Sequence, residues 1–324
     1  MAYEIRPSRP LDAEFRKAAL AQVDRALADL RREDGDLHET IHEARKRFKK
    51  LRGLVRLLRP ADEDLYKALN ASFRDGARRL SGARDKAALI EALDSLGERN
   101  ADQLKANSFA SVRDKLVAER DEAAGEEGEI KRSVEEASAA LEQARSRIEA
   151  FQIGGGRHQP KKAARLLAAS AGQTYGRARA ALKRAAKTRD ADDLHELRKR
   201  VKYHWMHLRL IAPCWPEAFA PAIDLAKTIA DDLGRDHDFA VLRGEIRADP
   251  AAFGDEETLS LLLALVDGYQ SELRTRGLAG SRRLLVDDAE AFSEKVAALY
   301  RLSAEEAERA AMPAETPEAD RRSL

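Results

Sequence analysis

Ile41-His42-Glu43-Ala44-Arg45-Lys46-Arg47-Phe48-Lys49 and Leu194-His195-Glu196-Leu197-Arg198-Lys199-Arg200-Val201-Lys202 are one pattern written twice, 153 residues apart. Each position keeps its character: an apolar residue, His-Glu, an apolar residue, three cations, an apolar residue and a lysine. The same offset puts Arg56 on Arg209, Leu57 on Leu210 and Pro60 on Pro213, and further on Leu80 on Leu233 and Asp85 on Asp238. A register held this far is an internal repeat. Its period is too long for a solenoid, so two copies of one helical bundle is the natural reading.

On a helical wheel of 100° per residue, His42, Arg45, Lys46, Lys49, Arg52 and Arg56 share one arc. Ile41, Ala44, Phe48, Leu51, Val55 and Leu58 fill the arc beside it. In the second copy His195, Arg198, Lys199, Lys202 and Arg209 take the polar arc, while Leu194, Leu197, Val201, Leu208 and Ile211 take the apolar one. Each helix therefore buries one side and carries a row of cations next to it.

Helical periodicity extends outward from these two stretches. It begins with a stripe through Phe15, Ala19, Val23 and Leu27 over 11–30. The repeat helix over 37–58 ends before Pro60, and further helices are predicted over 63–81, 86–97, 102–123 and 129–150. Gly154-Gly155-Gly156 followed by Pro160 is the clearest break. Helices resume over 161–187, 191–211, 217–234, 238–247, 256–275 and 281–302. The expected organisation is all-α: a first half at 1–151, a Gly-rich linker at 152–160, a second half at 161–302 and a disordered tail at 303–324. The halves are expected as pseudo-symmetric antiparallel bundles around a basic central groove.

Composition agrees. The 324 residues are 44% hydrophobic, 5% aromatic and 35% charged, which suits a helical protein and excludes an all-β one. Cys214 is the only cysteine, so neither a disulfide framework nor a zinc–thiolate cluster is available. The longest apolar run, Leu261 to Val266, is far short of a membrane span, and the first residues have no apolar signal region. A cytoplasmic location with no membrane partner is the expectation. The balance of 58 Lys+Arg against 57 Asp+Glu conceals segregation: Arg157 to Arg189 holds ten Lys/Arg and no acid. Arg177, Lys183 and Arg184 belong to that segment.

A solvated face is the ordinary explanation of a charge run. Here, however, Arg45, Lys49, Arg52 and Arg56 have no acid at i±3 or i±4, leaving repulsion of about 0.2–0.5 kcal/mol per like-charged pair. An acidic surface elsewhere or an anionic ligand must offset it. The His38/His42 and His204/His207 pairs share helix faces but lack a third ligand, so no metal site is expected. Asp231, Asp232, Asp236 and Asp238, around Gly234 and His237, could bind a cation, though helix N-caps are the commoner explanation. Phosphate-loop, nucleophile-elbow and His-Glu-x-x-His motifs are all missing. Neither an enzyme nor a cofactor emerges.

The two His-Glu-x-Arg-Lys-Arg stretches resemble the repeated signature of the CHAD family, the conserved-histidine α-helical domain. Leu233-Gly234-Arg235-Asp236-His237-Asp238-Phe239 resembles its second motif, whose counterpart Leu80-Ser81-Gly82-Ala83-Arg84-Asp85 is degenerate. Arg6-Pro7-Ser8-Arg9-Pro10-Leu11 resembles the family's lead-in. The resemblance implies two bundles with basic rows on a shared groove, binding of inorganic polyphosphate and, as in some members, location at polyphosphate granules. It also implies ligand contacts from His42, Arg45, Lys46, Lys49, Arg52, Arg56, His195, Arg198, Lys199, Lys202 and Arg209. Tyr203 and Trp205 replace the Lys50 and Arg52 of the first copy, so Arg177, Lys183 and Arg184 are expected to assist the second row. A fused triphosphate-tunnel β-barrel, found in other members, is not expected here. The rival readings are a nucleic-acid binder using the same groove, a phosphohydrolase or accessory subunit using Mg²⁺ at 231–238, and a scaffold whose bases are neutralised by the acids of 119–149.

Overall fold

The computed structural model describes residues 3–32, 37–80, 82–102, 104, 107–123 and 127–311. Among them it forms eleven α-helices and three short 3-10 turns, with no strand. In chain order the helices are α1 (Leu11–Leu30), α2 (Leu37–Leu57), α3 (Glu63–Arg79), α4 (Gly82–Arg99), α5 (Ala110–Ala123) and α6 (Glu127–Ala150), then α7 (Pro160–Thr188), α8 (Ala191–Ile211), α9 (Pro216–Ala248), α10 (Glu256–Leu284) and α11 (Ala289–Ala311). No helix of the described residues is long and apolar enough to cross a membrane.

Four helices of the first half close on one another: α1 packs on α2 and α6, and α3 packs on the same two. In the second half α8 lies between α7 and α9, α10 packs on α9, and α11 packs on α7. The apolar stripes meet in one core that runs through both halves, from Phe15, Phe48 and Phe73 to Tyr175, Leu197 and Phe292. The α4–α5 hairpin instead packs on the second half. Leu93, Leu96, Val112 and Leu116 meet Phe239, Leu242, Leu262 and Val266 in a second cluster. The halves are thus joined by shared cores.

Four boundaries differ from the expectations, the first being that the helix expected over 102–123 starts only at Ala110. The helices expected at 217–234 and 238–247 are one continuous α9. Gly234, the expected end of the first, lies where the helix passes close over Arg198: a Cβ there would stand 2.9 Å from the guanidinium. Gly277 and Gly280 play the same part in α10, where added Cβ atoms would meet Leu233 at 2.7 Å and Ile229 at 2.9 Å, so the helix continues to Leu284. Finally, α11 continues through 303–311, part of the expected tail, because Ala304 is fully buried and extends the stripe of Phe292, Val296 and Tyr300. The remainder of that expectation, 312–324, lies outside the described residues.

Candidate functional site

The two repeat helices touch. A Cβ on Gly53 of α2 would meet Met206 Sδ of α8 at 2.6 Å, and the Gly53 carbonyl lies 3.2 Å from His207 Nε2. On one side of this contact Arg56 lies over the Tyr203 ring, 4.2 Å from its centroid. On the other, Arg209 is close enough to Lys50 to disfavour its charge. Rising numbers on α2 thus meet falling numbers on α8, so the helices cross antiparallel. Gly53 and Met206 are themselves matching positions of the 153-residue repeat.

This geometry settles how the rows lie. Antiparallel helices that touch at matching wheel positions present matching wheel positions on the same side. Both cation rows therefore occupy one side of the helix pair, running outward from the crossing in opposite directions. His42 and His195 each stand eleven residues from the contact, 53 − 42 and 206 − 195. At 1.5 Å per residue that is about 16 Å along each helix. The rows form one lengthwise strip along the helix pair, because only their C-terminal ends reach the crossing.

The first row lies between α3 and the crossing. Arg45 Nη1 donates to the Leu80 carbonyl at 2.9 Å, and Arg52 Nε donates to Asn70 Oδ1 at 3.2 Å. Lys46 and Lys49 are exposed, Lys46 pairing with Glu43 at 2.5 Å, while His42 is half-buried. Arg56 also faces the Tyr66 ring of α3 at 5.7 Å, and its Nε is buried without a hydrogen-bond partner.

The second row lies between α9 and the crossing. The His195 ring lies 3.9 Å from that of His237, a residue of α9, tilted from it by 36°. Burial, then His237, Arg198 and Lys199, push His195 down to about 4, so it is neutral near pH 7. Burial and Arg198 also hold His237 below the usual imidazole range, against the opposing pull of Asp238, Asp236 and Asp192. Lys202 is depressed by burial and by Arg198, with Asp231 and Asp238 opposing. Lys199 pairs with Glu196 at 2.6 Å.

Tertiary packing adds cations that the repeat does not reveal. Arg177 of α7 is held below its ordinary value by burial and by Arg200, Arg56 and Arg59, which gather around it. Arg59 and Arg200 have carboxylates, Glu63 at 2.7 Å and Glu196 at 2.5 Å. Among the described residues, Arg52, Arg56, Arg177, Arg198, Lys202 and Arg209 have no carboxylate within ion-pair reach. Of the described acids of 119–149, Glu119, Glu136 and Glu142 pair with other bases, Lys86, Arg79 and Arg31.

Other expected participants stand apart. Lys183 and Arg184 are on the exposed side of α7, with Arg184 3.5 Å from Asp193 at the start of α8. Arg209 lies 5.1 Å from the Trp205 ring and lines a cavity at the end of α8. His204 and His207 are core residues, His204 packing edge-on to Tyr175 and Phe292. The Asp cluster is mid-helix, which removes the N-cap explanation. Asp231 pairs with Lys227, Asp232 with Arg276, and buried Asp236 with Arg274 and Gln270. No group of three metal-ligating side chains is found among the described residues.

The chain is thus an all-α protein in which cations without a carboxylate partner among the described residues lie along two crossing helices. The CHAD domain profile matches residues 14–247, and the chain belongs to the CHAD domain family. A crystal structure of the CHAD domain from the plant Ricinus communis is similar at a TM-score of 0.52 and 17% identity. The alignment covers 88% of this chain and 95% of that one, a likeness of fold. No curated protein matches.

Proposed function

We propose that this protein binds inorganic polyphosphate along the strip formed by α2 and α8, without catalysing its turnover. The carrying observation is that five half-buried cations near the strip, Arg52, Arg56, Arg177, Arg198 and Lys202, have no carboxylate within ion-pair reach among the described residues. Cations held half out of water without acids raise the local potential, and a polyanion lowers it. Arg groups offer bidentate contacts to phosphate and Lys groups point charges. A polymer with about one charge per unit and no bases to read needs only such a track. Association with polyphosphate granules follows wherever the polymer is stored.

The aromatic arrangement favours polyphosphate over nucleic acid. Binders of single strands offer open aromatic faces on which bases stack. Here Tyr203 carries Arg56, and Trp205 lies against Arg209. Titration of polyphosphate at several salt concentrations tests the reading. If about 8 phosphates are neutralised, log affinity falls against log salt by about 0.7 for each, by analogy with single-stranded nucleic acids. Salt-indifferent binding, or tighter binding of single-stranded DNA of equal charge, overturns it.

A further inference from the structure

The far end of α8 carries a cavity of about 440 Å³ that lies outside the strip. Its walls include Arg6, Ser8, Arg209, Pro216, Ser303 and Ala307. Four of these six lie outside residues 14–247, the stretch that matches the family profile. The cavity exists because α11 continues past Ser303 and packs on the 3-10 turn Ala212–Cys214.

The walls are fixed. The Ile5 N–H donates to the Leu210 carbonyl at 2.8 Å, and Ile5 itself is fully buried. The next amide, of Arg6, donates to the buried Glu14 carboxylate at 3.1 Å. Arg209 is steadied between the rings of Trp205 and Tyr3, at 5.1 and 5.8 Å. With no carboxylate in ion-pair reach among the described residues, its charge is felt nearby. Lys50 is pushed down to about 8 by burial, then by Arg47 and Arg209. The single wall acid, Glu4, is engaged by Arg6 at 2.7 Å. Two guanidiniums against one carboxylate leave the cavity with an excess positive charge, and the hydroxyls of Ser8 and Ser303 add donors.

We propose that this cavity is a second anion site, taking a compact inorganic phosphate of pyrophosphate size, separate from the strip that holds the polymer. Its volume is that of a small-molecule site, open to solvent on one side. Arg209 belongs to the second cation row as well as to the cavity wall, so the test rests on Arg6 and Ala307, which line the cavity and are not part of either row.

Calorimetric titration of pyrophosphate into the full chain tests it, with Ala307→Trp filling the cavity and Arg6→Gln removing one of its charges. The unaltered protein should bind one equivalent, each variant should bind about tenfold more weakly or worse, and Lys49→Glu/Lys199→Glu should bind as the unaltered protein does. Arg6→Gln keeps the test decisive should Ala307→Trp fail to fold. Absence of pyrophosphate binding by the folded protein overturns the proposal. So does binding that survives both cavity variants and disappears in Lys49→Glu/Lys199→Glu.

Discussion

The imidazole of His195 sits half-buried against His237 with Arg198 and Lys199 beside it, and burial first, then those neighbours, keep it neutral. The sequence supports this much, because the cations accompany the histidine at helical spacing. Its ring neighbour, His237, was legible only as part of an acidic motif. That His204 and His207 are core residues was less evident, since His-x-x-His on one helix face reads equally well as a ligand pair. Their environment makes a prediction about acid stability. Burial lowers both to about 3, against 6.5 in the unfolded chain. The unfolded state then binds protons that the native state refuses, so their contribution is fully present above pH 6.5 and declines as pH falls toward 3. Between pH 6.5 and 5, where most carboxylates stay ionised, each of the two should cost about 1–2 kcal/mol. Urea unfolding at pH 7, 6 and 5 checks this: a falling midpoint is expected, and a constant one contradicts it.

At the scale of elements, α2 and α8 approach so closely because Gly53 has no side chain where Met206 comes in. The sequence shows that the two helices correspond, but not that they touch, because Gly53 falls within the basic arc of the wheel and reads as part of the solvent side. The row's relation to its neighbours was hidden for the same reason: Asn70, Tyr66 and Arg177 come from helices whose placement no periodicity reports. Gly53→Ala should push Met206 and the Tyr3 hydroxyl, 3.0 Å from the new Cβ, out of place. A loss of about 1–3 kcal/mol is expected from such overpacking, read by thermal unfolding. An unchanged melting temperature would mean that the helices are further apart. In α9 and α10, Gly234, Gly277 and Gly280 permit close packing without interrupting the helix, so the expected boundaries at 234–238 and 275–281 do not occur.

The whole molecule is less divisible than its repeat suggests. The fold class was legible because helical stripes recur along nearly the whole chain. The placement of the α4–α5 hairpin on α9 and α10 was not, because Leu93, Leu96 and Val112 carry no mark of which half they bury against. Residues 1–151 expressed alone should therefore lack stable tertiary structure, exposing the apolar face of that hairpin and of α2. Circular dichroism and hydrogen exchange would show this, and addition of residues 152–324 should restore protection. A fragment that melts cooperatively alone would contradict the shared core. The account's central claim is that one side of the crossing helices holds a polyanion. Its most direct test is the affinity of Lys49→Glu/Lys199→Glu for long-chain polyphosphate at fixed low salt. Both lysines are exposed, so the fold should survive. The account predicts at least about tenfold weaker binding and a shallower salt dependence. Undiminished affinity in this folded variant would contradict it.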